Sequence, residues 1–350
     1  MSEANESGDI LEVESRSSGL LYHYTSEAGL LGILESDNIR GTHVRFLNDS
    51  TEFKEAFKDE YVSVLVDSFR KDLPEEDDLE AREAIAKFLS QKNYHKILGI
   101  IERSDSTSET FICSFTSDGH QTLGVSCDAG DRLSQWRGYS HSSQAFSLGF
   151  DEVRLRKQLS VLNGQKARAE LSECIYGDEE KTALFMELGH LAALKYRELK
   201  DNTDGLPSVL KSIRPNAGEA YQKAMDCVLK SLSDATAYFF TKAARIKHKG
   251  FLEEAEWRAI YQAKREVLFP PQEDREMSEI VKFRNGQFGQ TPYIEIPLGL
   301  RDPETSPLRK VMVGPGPHKE DMKRWVELIL LRHGMGKRVA VGVSGIPYRG

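Results

Sequence analysis

The 350-residue chain has no Cys-x-x-Cys pair: Cys113, Cys127, Cys174 and Cys227 are scattered, which argues against a zinc site and fits free thiols in a reducing compartment. No apolar run approaches a membrane span, and residues 1–18 are acidic and serine-rich without an apolar core, so neither a signal peptide nor a transmembrane helix is expected. These absences predict a cytoplasmic protein, without membrane partners, with a disordered lead-in over 1–18. Positive charge is in deficit as well. A formal net charge of −8 and a pI of about 5.7 exclude a global basic field for nucleic acid, although a local patch remains compatible. Phosphate-loop chemistry is missing too: Gly314-Pro315-Gly316-Pro317 lacks the Gly-Lys-Ser/Thr end of a P-loop, and no Gly-x-Gly-x-x-Gly follows a strand.

What is present is ordinary globular composition, 39% hydrophobic and 29% charged, enough for one large domain with an insertion. The first informative stretch is Leu21-Tyr22-His23-Tyr24-Thr25-Ser26. It reads as a strand with Tyr22 and Tyr24 on the face opposite His23, and with Ser26 capping a helix over 28–34. A histidine in such a strand is either a satisfied core residue or a site residue, and the hexamer alone favours the core.

The second is Glu253-Glu254-Ala255-Glu256-Trp257-Arg258, where an apolar β-like run begins. Glu254 and Glu256, two apart, are expected to share a strand face, and their repulsion calls for a cation or a substrate hydroxyl between them. A solvated edge or turn explains the same residues equally well.

Between these stretches the pattern predicts helices over about 50–69, with Asp49 and Glu52 at capping-box spacing, and on to about 101, with Leu79, Ile85, Phe88, Ile97 and Leu98 as core candidates. Strands are expected over 110–116, 145–150 and 167–176, then helices over 179–196 and 217–240 joined by a polar linker at 201–207. The basic run from Lys242 through Lys247 to Lys249 suits a helix C-terminus, and it also places cations just ahead of the two glutamates. Strands over 279–284, 291–296 and 308–313 are expected to run antiparallel in sequence, with Asn285-Gly286 as a hairpin signal, followed by a helix over 318–333 and a last strand over 338–343. In 131–139, Trp136 reads as a core anchor, whereas Arg137 could bind phosphate and Tyr139 could wall an aromatic ring. The polar tail 344–349 suggests no physical role.

Taken in order, Tyr-His-Tyr-Thr at 22–25, Asn48-Asp49, Cys113-Ser114-Phe115, Gln135-Trp136-x-x-Tyr139, Ser147-Leu148-Gly149-Phe150 and Glu254-x-Glu256-Trp257-Arg258 resemble a bacterial family of unknown function placed within the ADP-ribosyltransferase superfamily. The resemblance covers most of the chain and is weakest over about 155–245. It implies an α+β fold with a mixed, mainly antiparallel split sheet, forming a single domain over 19–350 with a helical insertion at about 178–249. It also implies NAD as substrate without a metal, and transfer of ADP-ribose to an unidentified protein or nucleic-acid acceptor, as in a toxin or phage-defence effector. By resemblance His23 binds the dinucleotide and Glu256 polarises the nicotinamide ribose. Glu254 would then orient or deprotonate the acceptor, and Tyr24, Thr25, Ser114, Arg137 and Tyr139 would line the cofactor. The middle motif departs from a clear Ser-Thr-Ser, and the middle role is assigned to Tyr139 rather than Ser114. Two other classes suit the same residues: a nucleotide sensor without turnover, and a metal-dependent hydrolase or nuclease using His23, Glu254 and Glu256.

Overall fold

In the computed structural model the described residues are 19–47, 58–76, 79–93, 108–118, 128–139, 144–164, 167–201, 218–269, 280–286 and 289–347. The lead-in, the Asp49/Glu52 cap, Ile97, Leu98, Cys127 and most of the 201–207 linker lie outside them.

In chain order the strands are β1 (Leu20–Ser26), β2 (Asn38–His43), β3 (Ser108–Ser117), β4 (Ala145–Asp151), β5 (Ala167–Glu173), β6 (Glu256–Lys264), β7 (Lys282–Gly286), β8 (Gly289–Pro297), β9 (Leu308–Val313) and β10 (Ala340–Val343). The helices are α1 (Glu27–Ser36), α2 (Asp59–Asp72), α3 (Leu79–Phe88), α4 (Leu133–Tyr139), α5 (Glu152–Ser160), α6 (Asp178–Asp201), α7 (Glu219–Ala243), α8 (Arg265–Leu268) and α9 (Lys319–Arg332). All ten strands join one α+β sheet in the order β10-β9-β4-β1-β3-β2-β8-β7, with β6 and then β5 added on the other edge of β3. Every pairing is antiparallel except β9 with β10.

The sheet is forked at β3. That strand pairs with β1 only at Leu21↔Ser117 and Tyr22↔Thr116, and with β2 only at Thr42↔Ile112 and His43↔Phe111, while β6 follows it along its whole length. Residues Cys113 to Phe115 therefore have no strand partner on the β1/β2 side, and a buried backbone carbonyl there needs another donor.

Two cores result. One face of the sheet buries Leu21, Phe115, Phe146, Leu148, Val311 and their neighbours under α1, α5 and α9. Helix α1 contributes Leu30, Ile33 and Leu34, each worth roughly 1.5–3 kcal/mol when buried. Its start is fixed by the Ser26 hydroxyl, which accepts from Gly29 N at 3.2 Å. The second core is helical: Phe69, Phe185, Leu188, Tyr196 and Val228 pack α2, α3, α6 and α7 against one another. The two helices expected as an insertion thus share a core with α2 and α3, and Gly189 makes this possible because a Cβ there would lie 2.4 Å from Leu65 O.

Some sequence expectations need correcting. Leu79, expected in the core, is the first residue of α3 and is 66% exposed, because the helix buries the face carrying Ala81 and Ile85. The strand β9 pairs with β4 and β10 rather than with β8, because β8 already spends its free edge on β2 and the chain crosses the sheet through the buried Leu298 and Leu300. The Asn285-Gly286 signal lies within the β7/β8 pairing, at Asn285↔Gln290 and Gly286↔Gly289, so it ends a strand instead of forming the loop. The tail has a role after all: Ser344 Oγ and Gly345 N both donate to the Asp131 carboxylate, which also accepts from Trp136 Nε1 at 2.8 Å. No helix of the described residues is long and apolar enough to cross a membrane.

Candidate active site

The glutamates differ from their expected arrangement. Strand β6 starts at Glu256; Glu254 ends a 3-10 turn, Lys249–Glu254, and Ala255 between them sits in the left-handed region at φ 41°. The two carboxylates are brought together by a third residue rather than by strand alternation. Lys247 Nζ donates to Glu254 Oε2 at 2.5 Å and to Glu256 Oε2, while Arg258 Nε donates to Glu256 Oε1 at 2.8 Å. Glu256, Lys247 and Arg258 are 4%, 4% and 3% exposed, so a solvated edge is excluded and the repulsion is answered by a buried cation.

Local backbone fixes this cluster. Glu256 N donates to the Tyr176 hydroxyl at 2.9 Å, and Glu256 O accepts from Cys174 N at 2.9 Å. Lys247 is carried by a short bridge in which Ile175 N donates to Arg245 O and Lys247 N to Ile175 O. Arg258, two residues beyond Glu256 on the same strand face, also donates Nη1 to Ala244 O at 2.7 Å. Arg132 ties the 3-10 turn to the sheet, donating to Glu253 O at 2.6 Å and Ser117 O at 2.8 Å. Burial alone would raise the Glu256 pKa, but Arg258 and then Lys247 outweigh it and hold the carboxyl at about 2.

Glu254, Glu256, Lys247 and Arg258 close one side of a cavity of about 480 Å³ whose other walls include Tyr22, Tyr24, Ser114, Thr116 and Gln135. A second cavity, of about 500 Å³, is lined by His23, Tyr24, Thr25, Ser114, Arg40 and Arg284 together with the glycine-containing side of α1. Both volumes fall within the range of small-molecule sites. They meet at the fork, sharing Tyr24, Leu47 and Ser114.

His23 spans that fork. Its Nδ1 lies 3.0 Å from Ser114 O, and since a carbonyl only accepts, Nδ1 carries the proton and Nε2 keeps its lone pair. The imidazole supplies the donor that the unpaired stretch of β3 lacks. Burial lowers its pKa against the smaller opposing effect of the Ser114 hydrogen bond. Strand register places Tyr22, Thr116 and Glu256 side by side on one face, and His23 on the opposite one.

Tyr24 faces Glu256's side, but its hydroxyl is committed: it donates to Ala129 O at 2.6 Å and accepts from Arg132 N at 2.9 Å, while its ring meets Trp136 edge-on at 4.7 Å. Trp136 is 1% exposed and anchors α4. Gln135 and Gly138 of that helix line the Glu256 cavity, whereas Arg137 is exposed and lines neither cavity. Tyr139 closes α4, and its side chain lies outside the described ones. Thr25 borders only the His23 cavity, lodged against Gly29, where a Cβ would lie 1.9 Å from Thr25 Oγ1.

Sequence reasoning gave no individual role to Lys247, Arg258, Tyr176 or Arg132. Lys247 left a trace as part of the basic run ahead of the glutamates, and Arg258 as an opposite charge two residues from Glu256 on a strand. Among the described residues no group of three or more His, Cys, Asp and Glu side chains converges, and the place between the two glutamates is held by Lys247.

Residues 135–259 match a family described as a protein of unknown function, DUF2971. The matched span starts in α4 and ends just beyond Arg258, so it takes in Glu254 and Glu256 and leaves out His23. No curated protein and no solved structure matches the chain.

Proposed function

We propose that this protein is an ADP-ribosyltransferase-like enzyme that cleaves the bond between nicotinamide and ribose in NAD and passes ADP-ribose to a macromolecular acceptor. The observation carrying this reading is Glu256, a buried carboxylate held anionic at the wall of a cleft that continues across a forked sheet into the His23 cavity. Loss of nicotinamide develops positive charge on the ribose, and a carboxylate fixed in a low-dielectric wall lowers that barrier without reorganising. Lys247 and Arg258 keep the charge in place, and a ribose hydroxyl entering the cleft donates to an oxygen they already orient.

Glu254, whose side chain is 28% exposed, lies on the open side of Lys247 and is suited to receive the acceptor's proton. His23 offers Nε2 as an acceptor for a hydroxyl or amide of the same ligand. Tyr24 is a strut whose ring edge bounds both cavities.

A second reading, nucleotide binding without turnover, is favoured by the same ion cluster, because two cations already offset the Glu256 charge. Nicotinamide release from NAD separates the two, measured with the protein alone and with RNA, DNA or cell lysate, beside Glu256→Gln shown to be folded by near-UV circular dichroism. Release that disappears in the variant supports transfer. Dinucleotide binding without release supports the sensor, and absence of both sinks the dinucleotide reading.

A further inference from the structure

The His23 cavity has a wall that the chemistry at Glu256 does not use. Arg40 and Thr42 of β2, Tyr293 and Glu295 of β8 and Lys282 and Arg284 of β7 follow one another on a single sheet face, since Arg40 pairs with Glu295, and Thr42 with Tyr293, which pairs in turn with Lys282. Thr42 also pairs with Ile112, two residues before Ser114, so this wall and the Glu256 wall belong to the same face. Arg284 Nη2 donates to Thr42 Oγ1 at 3.0 Å, and the Arg40 guanidinium stacks 4.9 Å from the Tyr293 ring centre.

These two guanidiniums are close enough to repel. Partial desolvation against the sheet, followed by the charge of Arg40, lowers the Arg284 pKa. Among the described residues neither has a carboxylate within ion-pair distance, and Glu295, the acid in the lining, is taken by Lys282 at 2.8 Å. Two fixed, oriented forks without a counter-charge form a bidentate receptor for a tetrahedral oxyanion.

We infer that Arg40 and Arg284 form a phosphate clamp at the mouth of the His23 cavity, holding a phosphoryl group of a nucleotide whose sugar and base lie toward His23. Tyr293 and Thr42 fix the two guanidiniums before the ligand arrives, so little side-chain freedom is lost on binding. His23, Ser26, Ser36 and Asn38 line the rest of this cavity, where the uncharged part of the ligand then lies. The clamp rests on the dinucleotide reading for the direction in which that ligand extends, toward Glu256.

Calorimetry on the full chain with AMP, adenosine and inorganic pyrophosphate tests the clamp. AMP should bind at least about tenfold more tightly than adenosine, and Arg284→Gln and Arg40→Gln should each weaken AMP binding about tenfold while leaving adenosine unchanged. Arg284→Lys, which keeps charge but not the fork, should recover only part of the loss. Both arginines are exposed, so unchanged thermal midpoints are expected for the variants. AMP binding no tighter than adenosine, an Arg284→Gln protein that binds AMP like wild type, or pyrophosphate and AMP that fail to bind at all would overturn the clamp. Glu256→Gln should keep AMP affinity, and wild-type protein that binds AMP through the two arginines yet releases no nicotinamide counts against the transferase reading alone.

Discussion

Lys247 Nζ stands between Glu254 and Glu256, 4% exposed, and donates to both. A lysine in that position converts two repelling carboxylates into one buried network with Arg258. Replacing Glu256 by Gln takes the carboxylate from buried Arg258 and leaves buried Lys247 to Glu254, and the expected loss of unfolding free energy is about 3–5 kcal/mol. Urea unfolding reads this directly; a change under about 1 kcal/mol would show that the cluster is solvated.

The same carboxyl sets an acid limit. Its folded pKa of about 2 lies below its ordinary 4.5, so its contribution is complete above pH 4.5 and is lost as pH falls toward 2. The contribution is on the order of 3 kcal/mol. Stability measured against pH should fall more steeply in this window for wild type than for Glu256→Gln, and parallel curves would contradict the assignment.

His23 predicts a second pH effect, centred higher. Its folded pKa is lowered from 6.5, so the fold favours the neutral ring and loses stability as pH drops below 6.5. His23→Ala should cost about 1–3 kcal/mol by leaving Ser114 O without its donor. An amide nitrogen can stand in for Nδ1, so His23→Asn should restore part of that loss and abolish the slope just below pH 6.5.

Tyr24→Phe isolates the strut from the site. It removes the hydroxyl that serves Ala129 O and Arg132 N, and about 1–3 kcal/mol of stability should go with it. Ligand affinity should be retained at temperatures where the variant is folded; a stable Tyr24→Phe protein with lost affinity would make the hydroxyl a ligand contact instead.

Ala255→Val tests the kink that aims Glu254. A β-branched residue at φ 41° costs about 1–3 kcal/mol and should release the 3-10 turn, lowering kcat while leaving AMP binding unchanged. Ala255→Gly should behave as wild type in both assays.

Several local features were readable without tertiary information. The β1 hexamer, the Ser26 cap, the strands expected at 145–150 and 308–313 and the long helices expected over 179–196 and 217–240, observed over 178–201 and 219–243, all follow from periodicities of two and of about 3.6 residues, which depend on neighbours only a few positions away. Trp136 as an anchor was equally legible, being a large ring amid polar positions. The crossing of β9 to the far side of the sheet was not, because an antiparallel strand can satisfy its hydrogen bonds beside any free edge.

The candidate site divides in the same way. The chain itself supplied the chemistry: two glutamates near a basic run, and a histidine in an aromatic strand. Which cation answers which acid was settled by the bridge between Ile175 and Ile246, which carries Lys247 to Glu256, and by the left-handed Ala255, which turns Glu254 back to the same ammonium. The facing of His23 and Glu256 depended on the register of β1 and β6 against β3, and the pairing of Arg40 with Arg284 on the partnership of β2, β8 and β7. Residue types and their local periods are properties of short stretches and so lie open in the sequence. Charge partners far apart along the chain are chosen by strand register and burial, and these exist only once the sheet has closed.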